Sequence, residues 1–496
     1  MDSIYLGYPV GYLTVFQAKG DQSALAAWLE DGEARQDATG WLIDGQQRST
    51  ALCLIHDKKP RWFTDDEWAD LRRQVLFDPA SEKVRAIKLD APRPRNSGVL
   101  VSELLRWGED TIKEQYSDST HRERLLRLRK QLQTSTVGEI SFSGTAEQAV
   151  EIFKRLNQEG ERVSSWDLTL TTAALARPDW VRDVVREGHR EVRAAMPKLK
   201  LADLMRPFAA RWQQTTRAGQ LHEADWSDDS VSRAWEATMR GWREASIFLR
   251  SRGILVRGNV QVPVSYLLPL VVLFSLDAGN EELGDGPLWW LIGAMREGRY
   301  KSGSVNNIDA VAEDLVDLLT MKDRSAAMRY LWSKQGAVTF VAEDFLCKQP
   351  ATQVLYQDLV VAMLTSRERD WSAQQDPMNP LQIPQQVHHI FPKDWVRQNL
   401  PDSRDAALWY ANLTVISAVA NNDIDAKSPR VYLSNPSGRH RTALADHFVT
   451  PEMVDEVTSN VESVVTMNSF LRARAEGMQA EANRQYKQAR GKQEHK

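Results

Sequence analysis

The sequence predicts a multidomain α+β protein with a mixed α/β N-terminal part, a mostly helical middle and a two-strand-plus-helix unit near the C-terminus. Three observations indicate this class. A β-rich run and a glycine turn precede a helical pattern at 41–55. Helical patterns then dominate from residue 164 onward. Two further β-rich runs, at 387–391 and 412–417, precede a place where a helix can start.

Composition and charge limit the classes of function. The 496 residues are enough for about two to four domains with buried cores. The net charge of −4 means that nucleic acid must be bound through local basic patches. Only Cys53 and Cys347 are present, which argues against a disulfide framework and fits a reducing cytoplasm. No signal segment opens the sequence, and the apolar run 262–276 contains two prolines, so we expect a cytoplasmic protein with no membrane partner.

The remaining elements follow from period and turn residues. Strands are expected at 12–16, 41–43 and 136–143, and short strands should alternate with loops over 56–120. Residues 372–384 are rich in Pro and Gln and are interpreted as a linker. Residues 438–441 are basic and are interpreted either as a DNA contact or as a surface loop. The tail 471–496 has seven Lys or Arg against three Glu and is expected to fray. Helices are predicted at 46–55, 121–131, 146–157, 181–193, 228–249, 262–276, 287–297, 311–319, 358–365 and 451–478.

The turn Asp44-Gly45 and the helix start that follows form the first candidate site. A strand, a glycine turn and a helix together offer free backbone amides and a helix dipole to a phosphate. Gly45 permits close approach, and Arg48 supplies a forked cation that matches phosphate oxygens. Gln46 and Gln47 could hold a ribose, a base or a water, while Asp44 could hold Mg²⁺ or orient the attacking water. The alternative is an ordinary Asp-Gly turn with Arg48 paired at the surface.

The predicted helix 121–131 carries five basic residues against one acid. One interpretation is a face that follows a phosphate backbone. The other is a solvated helix face, and the sequence leaves both open.

The second candidate site lies between Val387 and Tyr432. His388 and His389 open an apolar run, Asn412 leads into a second β-rich run, and Asn421 and Asn422 follow. Neighbouring residues on a strand point to opposite faces, so the two histidines can share a site only if the strand twists or ends there. Pro392 favours an ending. The alternative is a buried histidine pair with asparagine turns.

This order of residues resembles the ββα-metal (HNH) nuclease motif. By that resemblance His389 is the general base, since a neutral imidazole with a pKa near 6.5 can activate water. His388 corresponds to a metal ligand, and the second ligand is expected at Asn421 or, less favourably, Asn422. The resemblance gives Asn412 the role of holding the hairpin loop through backbone hydrogen bonds. The implied cofactor is Mg²⁺ or Mn²⁺.

The chain also resembles GmrSD-type restriction proteins. The string Ile-Asp-Gly-Gln-Gln-Arg-Ser-Thr-Ala-Leu at 43–52 is similar to the signature of their ParB-like nucleotide-binding domain, and 149–164 to their Ile-Phe-x-Arg-Leu-Asn segment. The resemblance implies a ParB-like domain at 1–175, a helical middle at 176–371 and an HNH domain with a C-terminal helix at 372–496. Relatives carry an Arg-x-Tyr-x-Trp segment upstream of the first helix, so we expect a truncated start or a branch that lacks it.

The implied function is a nucleotide-regulated, metal-dependent DNA endonuclease or nickase, a type IV-like restriction factor in anti-phage defence. Its expected partners are modified phage DNA, an NTP such as GTP, which the protein would hydrolyse, and further copies of itself or other defence proteins. One alternative is an NTP-hydrolysing sensor whose nuclease half is inactive or partner-dependent. Another is a DNA-binding protein of the partition type.

Overall fold

The protein is an α+β molecule in which helices outweigh three small sheets among the described residues. No helix in the described part of the chain is long and apolar enough to cross a membrane. The computed structural model describes residues 2–18, 40–60, 63, 65–88, 98–145, 148–149, 151–152, 155, 165–221, 224–254, 262–278, 283–300, 305–351, 353–371, 377–425, 427–434, 438–459 and 463–494.

The chain divides into two compact units. The first consists of Met1–Glu187 and His222–Ser227, and the second of Gly188–Leu221 and Asp228–Lys496. The second unit contains most of the predicted helical middle and all of the predicted nuclease part. The predicted division of the chain into three domains stays a prediction.

The described residues of the first unit form two three-stranded sheets. The strands are β1 (Tyr12–Ala18), β2 (Trp41–Asp44), β3 (Arg73–Asp78), β4 (Lys83–Lys88), β5 (Val99–Leu100) and β6 (Gly138–Gly144). Their orders in the two sheets are β2-β1-β6 and β4-β3-β5. In the first sheet β1 runs antiparallel to β2 and parallel to β6, which sets Phe16 beside Trp41 and Phe142. Phe16 and Trp41 are buried with Ala149 in a small core.

Helices of the first unit cover a second core around Phe77, Val101 and Leu125. The prediction of strands and loops alone over 56–120 was wrong, because three helices lie within that stretch. Their apolar residues, including Trp68, Leu104 and Ile112, are buried. The sequence between the short strands resembled turns, so these helices were not predicted. The helices are α1 (Asp2–Leu6), α2 (Gln46–His56), α3 (Asp65–Leu71), α4 (Val101–Leu104), α5 (Glu109–Gln115), α6 (Ser119–Thr134) and α7 (Ser165–Ala176), followed by a π-helical stretch, Trp180–Val185.

Two arginines of the basic helix α6 make contacts within the first unit. Arg124 pairs with Glu82 at 2.8 Å and donates to the carbonyls of Pro79 and Ala80. Arg127 lies 4.9 Å from the centre of the Tyr5 ring. These two cations stabilise the fold, which favours the interpretation of α6 as a structural helix over that of a phosphate-tracking face.

The second unit is built on helices whose apolar faces enclose tryptophans. Trp242, Trp289, Trp290 and Trp332 are almost completely buried, so these residues serve packing and are not stacking surfaces. The helices are α8 (Arg186–Ala195), α9 (Leu201–Gln213), α10 (Ser230–Ser251), α11 (Val264–Ser275), α12 (Gly286–Glu297), α13 (Val305–Leu319), α14 (Arg324–Ser333) and α15 (Tyr356–Thr365).

The C-terminal part of this unit adds two strands and six helices among the described residues. The elements are β7 (Gln385–His389), α16 (Lys393–Asn399), β8 (Leu413–Ser417), α17 (Ala418–Ile424), α18 (Pro429–Leu433), α19 (Gly438–Asp446), α20 (Pro451–Ser459) and α21 (Val464–Glu494). The predicted basic loop at 438–441 is wrong, because those residues begin α19. The predicted single helix at 451–478 is two helices.

The prediction that the tail frays was also wrong. Helix α21 continues to Glu494 and buries a stripe along one face. Arg474 is completely buried beneath the two strands, and Tyr486 packs between Trp289, Phe340 and Trp332. The buried stripe consists of Met467, Phe470, Leu471, Arg474, Ala475, Met478, Ala482 and Tyr486.

Candidate functional site

Strands β7 and β8 and helix α17 form a compact clip. The strands pair antiparallel over five residues, from Gln385 opposite Ser417 to His389 opposite Leu413. Ser417 ends β8 and caps the helix directly, because its hydroxyl accepts a hydrogen bond from the Ala420 amide at 3.0 Å. The strand-to-helix step therefore has no intervening loop, and the helix lies against the face of β7 that carries His388.

His388 lies inside the clip with one edge toward the helix. Its Nδ1 is 2.9 Å from Asn421 Oδ1. The ring is 3% exposed and packs edge-on against Trp371 and Tyr432. Its Nε2 is buried with no hydrogen-bond partner among the described residues. Burial lowers the pKa of His388 to about 4, against the opposing effect of the Asn421 hydrogen bond, so the ring is neutral at pH 7.

Asn421, and not Asn422, reaches His388. The Asn421 amide uses both ends, because its Nδ2 also donates to Gln386 Oε1 at 2.6 Å. The Asn422 side chain is exposed and makes no hydrogen bond to a described residue. Of the two positions that the sequence offered on this helix, the structure brings the first to the histidine.

The spacing of two candidate metal-ligand atoms, His388 Nδ1 and Asn421 Oδ1, fits a single hard cation. Adjacent ligands of an octahedral cation with bonds of about 2.1 Å are about 3.0 Å apart, close to the observed 2.9 Å. The Nδ1 edge faces the half-exposed Asn421, whereas the Nε2 edge is buried, so a cation would be held at Nδ1. The described residues contain no group of three or more His, Cys, Asp or Glu suited to a metal, and waters would complete this coordination.

His389 is the last residue of β7 and lies opposite Leu413. Its ring is half-buried, and its Nε2 is buried without a hydrogen-bond partner in the described part of the chain. Burial, the nearby Lys393 and the neighbouring His388 lower the pKa of His389 to about 3. The ring is therefore neutral at pH 7 and able to accept a proton.

Asn412 holds the connection between the strands. Its Oδ1 accepts from the Phe391 amide at 2.8 Å, and its Nδ2 donates to the carbonyls of Phe391 and Ala407 at 2.9 and 2.8 Å. The Ile390 amide donates to the Asn412 carbonyl at 2.9 Å. The side chain is completely buried, so Asn412 acts on the position of the chain after His389 and does not itself touch a substrate.

Several residues around the clip carry no signal in the sequence. His447 is completely buried, with Nδ1 2.5 Å from the Thr414 hydroxyl and Nε2 2.9 Å from the Arg369 carbonyl. Arg474 donates to three carbonyls, those of His447, Ala411 and Leu413. Both lie beyond the motif in the chain, His447 directly after α19 and Arg474 in α21. Only the fold brings them to the strands.

The N-terminal turn brings the predicted nucleotide-binding residues together at the start of α2. Gly45 has a φ of 104°, and a Cβ there would lie 2.5 Å from Leu13 Cδ2, so the turn requires glycine. No side chain caps the start of α2. Arg48 donates to Asp44 Oδ2 at 3.1 Å and to the Tyr12 carbonyl, while Gln46 and Gln47 are exposed. The predicted nucleotide-binding residues are thus together, with Asp44 and Arg48 paired to each other.

The motif segment 149–164 is only partly described. In the predicted helix 146–157, Arg155 pairs with Glu151 at 2.8 Å, but Phe153, Leu156 and Asn157 lie outside the described residues.

One comparison with known families bears on the first unit. Residues 1–173 match the family model described as GmrSD restriction endonuclease, N-terminal domain. This part of the chain is therefore similar to the N-terminal domain of a restriction endonuclease. No curated protein matched the chain. The match ends before the second unit's C-terminal clip, whose chemistry depends on its own geometry.

Proposed function

We propose that this protein is a nucleotide-regulated, metal-dependent DNA endonuclease or nickase, a type IV-like restriction factor that acts on modified DNA. The observation that carries the proposal is the pair of donor atoms His388 Nδ1 and Asn421 Oδ1, 2.9 Å apart on a ββα clip. It stands in a chain whose first 173 residues match a restriction endonuclease domain. A divalent cation held there would supply positive charge for the phosphate and the leaving oxygen.

The chain's own residues would perform the proton transfer. His389, neutral at pH 7, accepts a proton from water as the water oxygen forms its bond to phosphorus and the bond from phosphorus to the leaving oxygen breaks. The low pKa of His389 in the free protein reflects burial and the Lys393 cation. A phosphate anion beside the ring favours the imidazolium and raises that pKa, which improves the ring as a base.

A matched pair of neighbouring variants tests the cation site. We expect Asn421→Ala to lower Mn²⁺ affinity more than about 10-fold, because even residues that only orient metal ligands are worth about 10–100-fold. Asn422→Ala should bind Mn²⁺ as the parent does, since that side chain is exposed and does not reach His388. Calorimetric titration and plasmid nicking with Mg²⁺ or Mn²⁺ measure both. Equal Mn²⁺ affinity of the two variants would remove Asn421 from the site.

The N-terminal turn supports the nucleotide part of the proposal. An incoming polyphosphate offers Arg48 a stronger acceptor than the carbonyl and the half-exposed carboxylate that it now contacts, and the released Asp44 can then hold Mg²⁺ or water. The uncapped start of α2 supplies free amides to the same anion.

Removing the Arg48 cation should weaken nucleotide binding. A hydrogen bond to a charged group contributes about 1.5–3 kcal/mol, so Arg48→Ala should bind fluorescent GTP or ATP analogues about 10–100-fold more weakly. Arg85→Ala is the control, because Arg85 is an exposed arginine on β4 of the same unit. Unchanged affinity in Arg48→Ala would contradict the nucleotide site.

A second candidate is an NTP-hydrolysing sensor whose nuclease half is inactive or partner-dependent. The observation that favours it is the neutral donor set, because neither the His388 ring nor the Asn421 amide carries a negative charge to hold a cation. NTP turnover without cleavage of modified or unmodified DNA, with any divalent metal, would support this sensor over the nuclease.

A further inference from the structure

Gln386 is a residue of the clip to which the proposed hydrolysis assigns no role. It lies two positions before His388, on the same face of β7, and its side chain is exposed. Its Oε1 accepts the 2.6 Å hydrogen bond from Asn421 Nδ2. The Asn421 amide is therefore held between two partners on one strand, Gln386 at its nitrogen end and His388 at its oxygen end.

The orientation of that amide decides whether it can hold a cation. A side-chain amide has an oxygen that accepts and a nitrogen that only donates, and only the oxygen is a ligand for a hard cation. If the amide were turned around, Asn421 Nδ2 would face His388 Nδ1, and the two-donor site would lose its oxygen. The Gln386 oxygen opposes that turn, because it would then face the Asn421 oxygen, and Gln386 would have to turn its own amide as well.

We propose that Gln386 is a positioning residue that turns the Asn421 oxygen toward His388 and so completes the cation site. This inference rests on the proposed function of the clip. Gln386 acts through Asn421 and need not touch the cation or the substrate. Residues that orient metal ligands in this way are typically worth about 10–100-fold in metal affinity.

Three substitutions at one position separate orientation from mere bulk. Gln386→Glu offers only acceptors and should bind Mn²⁺ at least as tightly as the parent. Gln386→Met keeps the length but removes the acceptor, and we expect about 10-fold weaker binding. Gln386→Lys offers only donors, so it should favour the turned amide and bind more weakly still, while Gln382→Lys, an exposed position before the strand, controls for the added charge. Calorimetric or electron paramagnetic titration of the full chain with Mn²⁺ gives the affinities.

A metal-free measurement gives an independent reading. In the metal-free protein, the Asn421 oxygen requires the ring proton on His388 Nδ1, whereas a turned amide requires it on Nε2. A cation at Nδ1 would take the place of this proton, which would then lie on Nε2. Nitrogen NMR of ¹⁵N-histidine-labelled protein should therefore show the Nδ1–H form in the parent and in Gln386→Glu, and the Nε2–H form in Gln386→Lys.

The two readings distinguish the possible failures. Parent-like Mn²⁺ affinity in Gln386→Met, or the same His388 ring form in the parent and Gln386→Lys, would overturn the positioning role. A parent protein that binds no Mn²⁺ would instead contradict the proposed cation site, while the ring form in metal-free protein would still decide the role of Gln386.

Discussion

Replacing His389 with alanine should reduce DNA cleavage about 10²–10⁴-fold, the usual contribution of a general base. The ring is the only described imidazole that lies directly beside His388 at the end of β7 while remaining partly accessible to solvent. In the proposed mechanism His389 takes the proton from water, so the variant should nick DNA more slowly with either Mg²⁺ or Mn²⁺.

The variant should separate catalysis from cation binding. His389→Ala keeps His388 and Asn421, so its Mn²⁺ affinity should equal that of the parent, whereas Asn421→Ala should lose that affinity. His56→Ala, an exposed histidine at the end of α2, is the matched control and should cut at the parent rate. Parent-like nicking by His389→Ala would show that another group activates the water and would end the proposed mechanism.

Local patterns predicted the clip well. The β-rich runs, Pro392 and the spacing to Asn421 gave both strands and the helix, because each is set by residues close in sequence. The resemblance gave Asn412 the role of holding the loop, and its expected hydrogen bonds to the backbone are present. Asn412 lies at the end of the connection between the two strands. The strand also ends at His389, as the nearby proline indicated.

Long-range features escaped prediction for a physical reason. Trp371, His447 and Arg474 lie around His388 or its strands but come from three separate parts of the chain, so no local sequence pattern predicts these contacts. Helix α21 shows a different error. Its tail was interpreted from polar composition, although residues such as Met478, Ala482 and Tyr486 recur at helical spacing and are buried.

The wrong assignment over 56–120 arose from element length. Helices α3, α4 and α5 have only seven, four and seven residues, too few turns to show a helical period. Burial of single residues such as Leu104, which is 0% exposed, stabilises these short helices through tertiary packing and not through their own propensity.

Replacing Asn412 with alanine should cause a large loss of stability in the second unit. The change removes three hydrogen bonds and leaves the Phe391 amide, the Phe391 carbonyl and the Ala407 carbonyl without their side-chain partner in a buried site. Each unpaired buried group costs about 1–3 kcal/mol, so we expect the free energy of unfolding to fall by about 3–5 kcal/mol. Urea unfolding of the full chain, followed by circular dichroism, measures the shift in the transition.

Asn399→Ala is the matched control for this loss. Asn399 is exposed at the end of α16, and its single side-chain bond, 2.8 Å to the Trp395 carbonyl, leaves groups that water can reach. Its removal should cost about 0.5–1.5 kcal/mol. Asn412→Asp is a second test: it keeps the acceptor for the Phe391 amide but loses both donated bonds and buries a charge, so it should be at least as destabilised as Asn412→Ala. If Asn412→Ala unfolded at the same urea concentration as Asn399→Ala, the buried Asn412 side chain would contribute no more to stability than an exposed asparagine.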